Sequence, residues 1–139
     1  MRKLLLVCLL GVTLFALSAR ELKLQIIRTL ASLYTPKEHP VIYLESLPEE
    51  AIREQRAFVV DCRRADVLFV EDIDRFLQRC PIRKGQILFT LSYHDYIAHK
   101  ERAAGAFFWQ KGRPNIVLNK ALLKRLGIEL PPKYDKYVE

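Results

Sequence analysis

Three stretches of this chain, AFVVDC (Ala57 to Cys62), ADVLFVE (Ala65 to Glu71) and QILFTLS (Gln86 to Ser92), are apolar almost without interruption. A strand with one wet face alternates apolar and polar residues, so near-continuous runs of strand length belong to a sheet covered on both sides. Helices supply such a cover, and the segments between the runs can form them. This feature selects an α/β fold: one layered domain with a central mixed sheet flanked by helices.

The flanking segments carry the matching signals. Leu22, Ile26, Leu30 and Leu33 recur at helical spacing, Ile27 and Tyr34 broaden the stripe, and Pro36 stops a helix predicted from about Glu21 to Tyr34. PVIYLES, Pro40 to Ser46, reads as a strand, and Ser46 with Glu49 matches a capping box opening a short helix to about Gln55. Asp72 caps a helix to Arg79, Pro81 and Gly85 bound the next connection, and Tyr93 to Arg102 reads as loop or short helix. GAFFWQ and NIVLN form a hairpin about Lys111 to Pro114, giving the sheet an antiparallel pair. Asn119 then caps a helix from Lys120 to Leu126, which Gly127 ends, and a Pro-started helical turn lies within Ile128 to Val138.

The amino-terminal residues have a different logic. Arg2 and Lys3 precede an apolar run from Leu4 to Leu17 that closes in small residues, the layout of a secretory signal peptide cut near Ser18 or Ala19. The run is shorter than the roughly 20 residues that span a bilayer, and Cys8 stands too early for a lipoprotein site. The expectation is a signal peptide over residues 1–19, one α/β domain over 20–139, and a periplasmic location. About 120 residues suffice for one core, and no repeat, linker or low-complexity block suggests a second domain. The chain should fold throughout, apart from its last few residues.

Removing Arg2 and Lys3 lowers the formal charge from +7 to +5. Outside the cytoplasm that charge suits anionic headgroups, wall polymers or an acidic protein face. No basic-aromatic nucleic-acid motif is evident, and nucleic acid is set aside as a partner. Loss of Cys8 leaves Cys62 and Cys80 for a single disulfide, which an exporting compartment permits. Two buried thiols are the alternative, because sequence spacing does not say whether the two Cα atoms approach. No C-x-x-C redox pair is present.

Catalytic chemistry finds little footing. His94 and His99 stand about 140° apart on a helix and make a poor zinc pair, and with His39 they read as surface residues. Asp61, Asp66, Glu71, Asp72 and Asp74 cluster in sequence, but helix caps and strand ends account for most of them and no calcium-loop spacing is present. The serines occupy no G-x-S-x-G setting, and there is no G-x-G-x-x-G loop. The expectation is a protein that is not an enzyme, with no catalytic residue, metal or cofactor.

The hairpin is the remaining candidate. Phe107 and Trp109 alternate and could cover one sheet face, as aromatic residues commonly do. Trp109 beside Lys111 and Arg113 also offers an apolar plate with two cationic arms, and Trp and Arg concentrate binding energy at interfaces. Trp109, Lys111 and Arg113 are therefore the candidate partner-binding residues.

Gly105 to Val138, with its Gly-led strand, polar turn, second strand ending in Asn119, cationic helix KALLKRLG and final helical segment, resembles the YfiR-like periplasmic regulators. ADVLFV, Ala65 to Val70, with Cys62 upstream, resembles the family's middle strand, and the first helix and strand would match its amino-terminal unit. The helix ends in Tyr34-Thr35-Pro36 where the family usually has an aromatic-Trp-Pro element. The resemblance implies a mixed-sheet α/β domain that binds an envelope or inner-membrane protein without catalysis, as best-described members hold a membrane diguanylate cyclase inactive. A second copy of the chain is a further candidate partner. The competing expectation is a solute-binding domain holding a small anion near Arg63, Arg64 and the hairpin cations.

Overall fold

The computed structural model describes residues 20–139, so the signal-peptide reading of residues 1–19 lies outside the described residues. A helix over residues 20–34, α1, precedes β1 (Ile42–Leu44), α2 (Glu49–Glu54) and a 3-10 turn, Cys62–Arg64. Then follow β2 (Val67–Val70), α3 (Ile73–Arg79), β3 (Ile87–Thr90), α4 (Tyr93–Ala98), β4 (Gly105–Gln110), β5 (Arg113–Leu118), α5 (Lys120–Leu126) and a 3-10 helix, Pro132–Tyr137. The strands form one sheet in the order β1-β2-β3-β4-β5. β1 to β4 are parallel, and β5 runs antiparallel to β4.

Every residue of β2 and β3 is buried, as near-continuous apolar runs require of central strands. Successive side chains point to opposite faces, so each run feeds two cores. Val67, Phe69, Ile87 and Phe89 pack with Leu24, Ile27, Leu30 and Tyr34 of α1 and with Leu123 of α5. Leu68, Val70 and Leu88 pack with Ile73 and Phe76 of α3 and Tyr96 of α4. Helices thus cover both faces of a mixed sheet. Phe69 and Phe89 stack across the β2–β3 pair with ring centroids 4.9 Å apart.

Local signals set the ends of α3 and α5 and the hairpin turn. The Asp72 and Asn119 side chains accept from the backbone N–H of Arg75 and Leu122, and Gly127 ends α5 at φ 69°. The hairpin turns on Lys111 (φ 54°) and Gly112 (φ 71°), and two positive φ values in a two-residue loop match the twist of the flanking strands. Gly105 is needed for space: a Cβ there would lie 2.3 Å from the Val117 carbonyl oxygen of β5.

Several expectations are corrected. Ala57 to Cys62 is not a strand: Phe58 makes one parallel bridge to Ile42, and Val60 is 57% exposed. The Asp61 carboxylate then accepts from the Arg63 N–H and turns the chain into the 3-10 segment. Ser46 does not cap α2; it adopts φ 75° and donates its hydroxyl to Glu71 at 2.5 Å, while Pro48 occupies the cap position. The buried stripe of α1 runs through Leu24, Ile27, Leu30, Ala31 and Tyr34, whereas Leu22 is exposed and Ile26 and Leu33 lie at its margin. Tyr93 to Ala98 is helical, capped by Ser92. The chain end is paired: Val138 bridges Leu118, and the Glu139 N–H donates to Leu118.

Candidate functional site at the carboxyl ends of the strands

Because β1 to β4 run in parallel, their carboxyl ends meet at one edge of the sheet, where α/β folds commonly hold ligands. Gly105 and Ala106 of β4 pair with Phe89 and Thr90, so Phe107 to Gln110 extend past the paired part of β3. They are held instead by β5, from Phe107 against Ile116 to Gln110 against Arg113. The end of β4 is thereby a raised wall. Phe107 is buried at its base, and Trp109, two residues on and so on the same face, stands edge-on to it with ring centroids 6.4 Å apart. Trp109 remains 47% exposed. Phe108 points to the opposite face and meets Tyr93 at 5.7 Å.

This wall borders an open groove of about 740 Å³. Leu91 and Ser92 after β3 and Glu71 after β2 line it, with Arg20 and Lys23 from the first turn of α1. The volume falls in the range of small-ligand sites, and the combination of apolar wall with a few charged groups is typical of them. Sequence reasoning found Trp109 but missed Glu71, Leu91, Arg20 and Lys23, which come together only when α1 packs across the sheet. The broad signal available beforehand was the rule that parallel strands present ligand sites at their carboxyl ends.

Lys111 and Arg113 sit at the hairpin tip, exposed, and outside the groove lining. They flank Trp109 along the chain rather than facing it across the groove. Arg63 and Arg64 occupy the 3-10 turn before β2, at the amino ends of the strands. The length of the sheet separates them from the hairpin, so the anion site expected from Arg63, Arg64, Lys111 and Arg113 is not assembled. Arg63 instead bonds Asp61 through Nε at 3.3 Å, and the backbone N–H of Arg63 is the main cause holding the Asp61 carboxyl below its usual range.

Cys62 and Cys80 form a disulfide that ties the 3-10 turn to the end of α3, with the Cα atoms 6.5 Å apart. The acidic residues clustered in sequence are dispersed in space. Asp66 accepts from Lys37 Nζ at 2.6 Å and from the Val41 N–H at 2.7 Å, Asp72 caps α3, and Glu71 accepts from Ser46. Among the described residues, no group of three His, Cys, Asp or Glu is placed to hold a metal ion.

His99 is not the plain surface residue expected. It lies between Asp74, 3.0 Å from Nε2, and Asp95, 3.2 Å from Nδ1. Asp95 also accepts from the Thr90 hydroxyl at 2.8 Å and the Ile73 N–H at 3.2 Å, joining β3, α3 and α4. Burial acts to lower the His99 pKa, but the bond to the Asp95 carbonyl oxygen and the Asp74 and Asp95 carboxylates outweigh it and raise the value. Thr90 is fully buried, so the cluster presents no accessible hydroxyl for nucleophilic attack and acts as a clamp between elements.

No family model, curated protein or solved structure matches this chain.

Proposed function

We propose that this protein is an exported binding protein of the cell envelope that regulates or adapts another envelope protein through its Trp109 face. The carrying observation is Trp109 itself: a large aromatic side chain, half exposed, held on a rigid two-stranded wall beside an open groove. Rigid aromatic anchors of this kind concentrate binding energy at interfaces. Lys111 and Arg113 at the adjoining tip add cations that steer an acidic partner face. The apolar run ending near Ser18 supports export, and the Cys62–Cys80 disulfide is of the kind that persists in oxidising compartments. The resemblance of Gly105 to Val138 to YfiR-like regulators supports the same reading and points to a membrane signalling protein as the target.

The test is photo-crosslinking in intact cells from a photoreactive residue at position 109, followed by mass spectrometry. Capture of one envelope protein, abolished by competing unmodified protein, is the expected result. Capture of nothing above a control site on α2 rejects the reading.

The groove favours one second reading, a small-solute site. Arg20 and Lys23 beside an apolar wall suit an amphiphilic anion, a different place from the Arg63 and Arg64 end expected earlier. A small molecule that co-purifies and raises the melting temperature, with that rise lost in Lys23→Glu, would favour this reading over the first.

A further inference from the structure

The net positive charge of this domain comes from its last forty residues. Residues 20–99 hold twelve Lys and Arg and twelve Asp and Glu, whereas residues 100–139 hold nine Lys and Arg against four Asp and Glu. Four of those cations converge. Lys120, Lys124 and Arg125 of α5 and Lys100 just beyond α4 line one shallow depression of about 530 Å³, with Glu101 and Glu139 among them. The convergence is built in: Asn119, 5% exposed, donates its side-chain amide to the Lys100 carbonyl oxygen at 2.7 Å and to the Ala103 carbonyl oxygen at 2.9 Å. The same Asn119 caps α5, so one buried side chain fixes Lys100 beside the start of that helix.

Lys120 works against the stability of α5, whereas Lys124 and Arg125 lie in its last turn, where the helix dipole favours cations. Lys120 occupies its first position, where the helix dipole favours an anion, and the first turn holds no acidic residue. Lys120 and Lys124 are four residues apart on one face, where like charges repel. None of the four cations forms an ion pair with a described residue. A helix face that served only as a solvated surface would gain from an acidic residue at its first position.

We propose that Lys100, Lys120, Lys124 and Arg125 seat the protein on the anionic headgroups of a phospholipid bilayer. The cations line a depression that is shallow and open, not an enclosed pocket, and Glu101 and Glu139 stand among them. A single small anion would meet those carboxylates, while a plane of negative headgroups acts on the summed charge. Tyr96, the one aromatic residue lining the depression, is buried, and the exposed Tyr93 borders it through its hydroxyl, 3.2 Å from Glu139. This inference is independent of the Trp109 reading, since the cations lie along α5 and just beyond α4, away from the hairpin tip.

The test is co-sedimentation of the protein purified from its producing cells with phosphatidylcholine vesicles containing or lacking phosphatidylglycerol. Partitioning onto the anionic vesicles should exceed that onto neutral ones and fade as salt rises. Lys120→Glu with Lys124→Glu should lower it about tenfold or more, since each cation near the surface contributes measurably. Lys120→Gln with Lys124→Gln should lower it less, and circular dichroism should show both variants folded. Arg53→Glu with Lys84→Glu, an equal charge change elsewhere, should leave most of the partitioning in place. Equal sedimentation on both vesicles, no effect of the α5 substitutions, an equal loss from the Arg53 and Lys84 pair, or displacement of the wild type by inorganic phosphate at constant ionic strength would each overturn the proposal.

Discussion

Tyr34, the last residue of α1, donates its phenol hydroxyl to the carbonyl oxygen of Ala104 at 2.9 Å, joining the first helix to the strand that carries Trp109. Its ring meets Phe89 edge-on at 5.0 Å, and burial holds the phenol far above its ordinary pKa. The Ala104 oxygen also accepts from the Asn119 N–H, so it keeps a partner if the phenol is removed. Tyr34→Phe should therefore cost only about 1 kcal/mol, the net worth of a typical hydrogen bond. Tyr34→Ala should cost about 3–5 kcal/mol through the cavity it leaves. Urea unfolding of the three proteins checks both figures.

Phe107 and Trp109 share a face of β4 but differ in burial, 2% against 47% exposed. Phe107→Ala should destabilise the fold by about 3–5 kcal/mol, as deletion of a core ring does. Trp109→Ala should cost on the order of 1 kcal/mol, as a half-exposed ring buries little, and leave the circular dichroism spectrum intact, while abolishing pull-down of the partner protein. A Trp109 cost as large as that of Phe107 would make it a core residue.

Cys62 and Cys80 close a loop with a sequence separation of 18. Holding that loop shut restricts the unfolded chain by about 3 kcal/mol in chain-entropy terms. Reductant should lower the melting temperature, and Cys62→Ala with Cys80→Ala should reproduce the loss and be insensitive to reductant. Intact protein alkylated without reductant should take up no label at either cysteine.

His99 gives stability a pH dependence of defined sign. Its pKa is raised above 6.5 in the folded protein, so the native state binds the proton more tightly than the unfolded chain. Its contribution is complete below the unfolded value and is lost as pH rises through the higher folded value. The urea midpoint should fall across that window, and His99→Gln should flatten the fall. Asp74→Asn should flatten it in part, since the Asp74 carboxylate supports the charged imidazole.

The sequence by itself determined the layered plan. Near-continuous apolar runs marked the buried strands at Val67 to Val70 and Ile87 to Thr90, though the same signal failed at Ala57 to Cys62, and Asp72, Asn119, Gly112 and Gly127 act on backbone within a few residues of themselves. Asp95 and His99 stand four residues apart, a spacing that brings side chains together on a helix and was legible in the sequence, although His99 was expected at the surface. Tertiary structure decided what depends on distant partners. Ser46 had a capping box in sequence and took Glu71 instead, and the stripe of α1 turned toward Leu24 and Ile27 because the sheet sets which face is dry. The groove beside Trp109 draws on α1, β2, β3 and β4, and the basic face draws Lys100 to α5 through one buried amide. Side chains tens of residues apart meet only after the sheet has fixed the direction of its strands, and periodicity along the chain carries no record of that.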